Sequence, residues 1–171
     1  MKVFRRALLY ALLLVVACVA TGCNVYREPA ALLPGIGFGM SPAEVQTMLG
    51  EPDEVEQFTA VNDVTYTWLT YGECMVEGHP AQLRLKFLPF RRGMVLEQYT
   101  VTFPGEDRAA LMTEIDAALA AQLTDDMGFT RRERPDSMSY ECSHGPVGTY
   151  YQLSVWEGNV RLLGECTEYY R

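Results

Sequence analysis

Gln82-Leu83-Arg84-Leu85-Lys86-Phe87-Leu88 alternates apolar and polar side chains with a period of two. Leu83, Leu85 and Phe87 fall on one face of an extended strand, and Gln82, Arg84 and Lys86 fall on the other. That is the pattern of an antiparallel sheet with one face buried. A Pro89–Gly93 turn leads to a second strand, Val95 to Phe103, whose alternation is less regular. On the other side, Val64 to Tyr71 is rich in aromatic and β-branched residues and reads as a third strand.

Before these strands lies the clearest helix start in the chain. Ser41 is placed to cap, Pro42 takes the first helical position and Glu44 completes a capping box. Met40 and Val45 occupy the hydrophobic-staple positions, and Val45, Met48 and Leu49 form one apolar stripe. Gly50 and Pro52 stop the helix. After Pro104-Gly105, residues 107–123 predict a longer helix with Leu111, Ile115, Ala118, Leu119 and Leu123 at helical spacing. Strands are expected over about 129–134, 138–143, 148–156 and 159–168, with a tight turn at Glu157-Gly158-Asn159. Both halves therefore read as a helix followed by antiparallel strands. The fold class is α+β: two tandem helix-plus-sheet units packed side by side, residues 35–104 and 105–171.

The N-terminus carries a different signal. Lys2, Arg5 and Arg6 precede an apolar run from Ala7 to Ala20, which is too short for a comfortable membrane span and has the form of a secretory leader. Ala20-Thr21-Gly22-Cys23 resembles the lipobox of bacterial lipoproteins. Val15-Val16-Ala17-Cys18 fits a looser version but leaves the apolar core short. The resemblance implies cleavage after residue 22, acylation of Cys23 and a membrane anchor. Asn24 after the cysteine implies the outer membrane, with the chain facing the periplasm. Residues 23–34 read as the lipidated cysteine and its tether.

Charge narrows the partners. The chain has 14 Lys and Arg against 22 Asp and Glu, a net charge of −8. Three of the basic residues leave with the leader and no acidic one does, so the mature balance is −11. Such a surface repels nucleic acid and anionic lipid. Nucleic-acid binding is excluded, as is membrane contact other than through the anchor. Cys74, Cys142 and Cys166 remain in an oxidising compartment, where disulfides form; the expected pair is Cys142–Cys166, with Cys74 left over.

Motifs for chemistry are missing. No nucleophile elbow, zinc-binding histidine pair or phosphate-binding glycine loop is present. Cys74-x4-His79 and Cys142-x-His144, with Cys166, have soft-ligand character. They lie in Gly/Pro-rich hairpin loops, however, and oxidation would consume the thiols. The carboxylates Glu51, Asp53, Glu54 and Glu56 read as a solvated run beside a turn. No metal, cofactor or enzymatic activity is expected. An exposed strand face bearing Trp68, Arg84, Lys86, Tyr150 and Trp156 has the composition of a protein-binding surface instead.

Gly39-Met40-Ser41-Pro42-Ala43-Glu44-Val45, Met48-Leu49-Gly50-Glu51-Pro52-Asp53, Tyr66, Trp68 and the strand Leu83 to Phe87 resemble the SmpA/OmlA family of small outer-membrane lipoproteins. The resemblance covers residues 36–103. Two such units in tandem resemble the β-lactamase-inhibitory-protein fold, and a Cys142–Cys166 pair would suit its second unit. The implied role is a lipid-anchored module that binds another envelope protein, in outer-membrane assembly or integrity. The alternative is a periplasmic inhibitor or immunity protein that blocks an enzyme.

Overall fold

The computed structural model describes residues 28–91, 93–105, 107–142 and 148–167. The leader, Cys23, the first residues of the tether and His144 lie outside the described residues. Eight antiparallel strands form one sheet: β1 (Glu54–Thr59), β2 (Thr65–Val76), β3 (His79–Phe90), β4 (Gly93–Phe103), β5 (Phe129–Arg134), β6 (Ser137–Cys142), β7 (Thr149–Trp156) and β8 (Asn159–Cys166). Helix α1 (Pro42–Leu49) precedes β1, and α2 (Arg108–Gln122) lies between β4 and β5. The spatial order is β1-β2-β3-β4-β8-β7-β6-β5, so two four-strand meanders share one continuous sheet through the β4–β8 pairing.

The alternation read in the sequence sets the two faces. Leu83, Leu85 and Phe87 are buried, while Gln82 is exposed and Arg84 and Lys86 are partly so. Arg84 pairs with Thr70 and Thr100, which carries the polar face across three strands. Tight hairpins hold the register: Glu77-Gly78 and Glu157-Gly158 each place two successive residues at positive φ, as the two-residue turns that match strand twist require. Helix α1 starts as its sequence dictates, with both arms of the Ser41–Glu44 capping box formed and Met40 and Val45 buried. The expected stripe is not buried as a whole, because Met48 and Leu49 remain 55% and 39% exposed.

Beta-strand β1 was not legible as a strand. All six of its residues are exposed, so no alternation marks it, and its glutamates lie beside a turn. As an edge strand it gains from those charges, which oppose pairing with another chain; Arg131, Arg132, Glu133 and Arg134 do the same on β5, the opposite edge.

Tether-like structure ends earlier than the sequence implied. Residues 23–34 read as a tether, yet Ala30, Ala31, Leu32 and Leu33 are each at most 7% exposed. The cause lies in the sheet. Tyr99 and Tyr151 are fully buried, and a buried phenol needs a hydrogen-bond partner. Tyr99 Oη donates to the Ala31 carbonyl at 2.6 Å and Tyr151 Oη to the Pro29 carbonyl at 3.2 Å. Phe38 packs its ring 5.8 Å from Tyr99 and 6.3 Å from Tyr151. The arm then joins the sheet, with Gly39 N donating to Leu96 O and Leu96 N to Met40 O. The body therefore includes the arm from Glu28 to Met40.

One close approach in this core gives a direct test. Gly164 stands opposite Tyr99, and a Cβ there would fall 2.3 Å from Tyr99 Cε1. The ring cannot retreat without breaking its bond to Ala31. We expect Gly164→Ala to destabilise the protein by about 2–3 kcal/mol, as overpacking does, read as a lower urea midpoint.

The expected Cys142–Cys166 disulfide is not present. Cys142 and Cys166 both pair with Thr149, one from each side. Strand β7 therefore separates them by two inter-strand spacings, roughly 9–10 Å. A disulfide bridges Cα atoms no more than about 7 Å apart. Cys74 and Cys142 also carry no disulfide.

Candidate functional site

Both helices and the arm lie on one face of the sheet. Tyr71 Oη donates to Gly50 O at the end of α1, and Tyr140 Oη donates to Asp116 on α2. Leu32 N donates to Gln122 Oε1, joining arm to helix on that same side. No described helix covers the opposite face, and the site is built there.

Its centre is a groove of about 350 Å³ over β4. Trp68 on β2 and Arg84 on β3 form one wall, and the Arg84 guanidinium lies 4.7 Å from the Trp68 ring centroid. Trp156 on β7 and Arg161 on β8 form the other, with guanidinium and ring 5.6 Å apart. Thr100 and Thr102 of β4 lie between them. The placement follows from register: Arg84 pairs with Thr100, Thr102 pairs with Arg161, and the Glu157-Gly158 turn puts Trp156 opposite Asn159.

The two walls differ in charge balance. Arg84 is held by Glu56 on β1 at 2.6 Å. Arg161 has no carboxylate partner among the described residues, although Glu157 lines the same groove. The buried Nε atoms of Arg84 and Arg161 have no hydrogen-bond partner. Trp156 is 57% exposed, far more than a core tryptophan.

Five residues were expected to share this surface, and all five lie on the open face. The structure brings Trp68, Arg84 and Trp156 into one groove. Lys86 is drawn away: its side chain is 17% exposed, its ammonium lies 4.3 Å from the Tyr66 ring centroid, and it reaches Glu97 Oε2 at 3.4 Å. Tyr150 is half-buried opposite Glu165, beyond the groove. Sequence reading missed Arg161. Its signal was available, since the Glu157-Gly158 turn and the alternation of Val160 and Leu162 put Arg161 on the face of Trp156.

Glu97 was missed as well. It is the extra residue of a bulge, since Lys86 pairs with Gln98 and Phe87 with Leu96. Its carboxylate is completely buried, with the Lys86 ammonium 3.4 Å from Oε2. Burial pushes the carboxyl up to about 7; Lys86 opposes that rise and Glu165 adds to it.

Among the described residues the cysteine–histidine positions do not converge, and His144 lies outside them. Cys74 pairs with Ala81 on β3 and Cys142 with Phe129 on β5, at opposite ends of the sheet order. His79 is bound to Glu114 at 3.0 Å. Among the described residues no group of three or more His, Cys, Asp or Glu is placed to hold a metal ion. No described helix is long and apolar enough to cross a membrane. Compared with known proteins, the chain matches no family model, no curated protein and no solved structure.

Proposed function

We propose that this chain is a non-enzymatic, lipid-anchored binding module of the bacterial outer membrane, facing the periplasm, whose open sheet face docks another envelope protein. The observation that carries the reading is the groove: two tryptophans and two arginines gathered on a face that no described helix covers, a composition typical of interface hot spots. The lipobox-like Ala20 to Cys23 supports the anchor. Acylation with more than one chain gives stable attachment, and confinement to one surface raises the effective concentration of a partner held there.

The element order supports a tandem reading, residues 35–104 and 105–171, each a helix followed by a four-strand meander, joined through the last strand of each. The SmpA/OmlA-like residues of the first unit favour a partner in outer-membrane assembly or integrity.

The test is fractionation combined with crosslinking. The wild-type chain should incorporate labelled palmitate, sediment with membranes and crosslink to a discrete envelope protein. Cys23→Ala should abolish the label and release the chain into the soluble periplasm. Palmitate incorporation that survives Cys23→Ala would refute the anchor. Failure to recover any crosslinked partner from membranes would refute the binding role.

A further inference from the structure

The groove also bears on what it binds, an inference that rests on the docking role just proposed. A guanidinium lying over an indole is weakly hydrated and keeps its planar fork of donors for a carboxylate. Of the two stacked arginines, Arg84 already has that partner in Glu56, whereas Arg161 has none among the described residues. Glu157 lines the same groove without a salt bridge to it, so no described carboxylate neutralises this cation. Thr100 and Thr102 add short hydroxyl side chains between the two walls. Trp156 offers an exposed apolar ring beside the charge.

We infer that the groove takes an acidic segment of the partner protein, with a carboxylate on Arg161 and neighbouring apolar side chains against Trp68 and Trp156. Charge complementarity selects this occupant. The chain as a whole is acidic, with a net charge of −8, but at physiological salt charges are screened beyond about 8 Å. At contact, the groove lining presents two guanidiniums, Arg84 and Arg161, against one carboxylate, Glu157.

The experiment is selection of a phage-displayed library of random peptides on the full chain, followed by titration of the selected peptides as synthetic molecules. Selected sequences should be enriched in Asp and Glu beside apolar residues. Replacing those acids by their amides, or changing Arg161→Gln or Trp156→Ala in the chain, should each weaken binding by about tenfold or more. Arg161→Lys keeps the charge without the planar fork and should give an intermediate loss. Arg134→Gln, on the edge strand of the same face, should leave binding unchanged. Far-UV circular dichroism checks that each variant is folded, and Arg161→Gln carries the test if Trp156→Ala is not.

Selected peptides without acidic enrichment, or affinity that Arg161→Gln leaves intact, would overturn the inference. Peptides bound elsewhere on the chain would do so while leaving the docking role standing. If no peptide is selected but polygalacturonate binds in an Arg161-dependent way, the groove takes an anionic glycan and the inference fails.

Discussion

Phe38→Ala is expected to lower stability by about 3–5 kcal/mol, the loss typical of a large aromatic removed from a packed interior. Phe38 is completely buried and touches both Tyr99 and Tyr151. It belongs to the arm that precedes α1, so its removal loosens the segment whose carbonyls satisfy the two buried phenols. A displaced arm would leave those hydroxyls unpaired, adding to the cost of the cavity. Urea unfolding should show a large drop in midpoint. A loss below about 1 kcal/mol would mean that the arm is a detachable tether after all.

Glu97 should make stability fall as the pH rises. In the unfolded chain its carboxyl titrates near 4.5, and in the folded protein near 7. Between those values the folded state holds a proton that the unfolded state has released. Its contribution is therefore fully present below about pH 4.5 and is lost through about pH 7, amounting to about 3 kcal/mol. Glu28, half-buried and raised in the same direction, adds a slope of its own, so the informative quantity is the difference between wild type and Glu97→Gln. Unfolding free energies measured at pH 5 and pH 8 should fall more steeply for wild type than for the variant. Parallel pH profiles would show that Glu97 ionises at its ordinary value, and hence that its carboxylate is hydrated.

The elements that could be read from sequence were those with one wet and one dry face. Leu83, Leu85 and Phe87 against Gln82, Arg84 and Lys86 identified the sheet because burial imposes a period of two. Ile115, Leu119 and Leu123 identified α2 by the same logic at a period of 3.6. Beta-strand β1 has no dry face and left no such trace. The arm was invisible for another reason: Ala30 to Leu33 are buried because Tyr99 and Tyr151, far along the chain, need acceptors. The Cys142–Cys166 pairing failed on register, which put Thr149 between two cysteines whose strands are both its neighbours. Trp68, Arg84 and Trp156 were legible as a surface because each occupies a polar-face position. Lys86 is withdrawn to Glu97 by the β3–β4 bulge, whereas the joining of Trp68, Arg84, Trp156 and Arg161 into one groove depended on the β4–β8 pairing, a long-range choice that no local pattern encodes.

That choice leaves a sheet with one face packed under helices and arm and the other covered by no described helix, and this second face is where a partner should sit. Site-specific photocrosslinking in living cells addresses this most directly. A photoreactive residue at Gln82, exposed at the groove, should yield a discrete protein adduct that Arg161→Gln abolishes. The same residue at Ala120, exposed on α2, should yield none. Adducts formed from Ala120 alone, or from neither position, would contradict the assignment of the open sheet face as the binding surface.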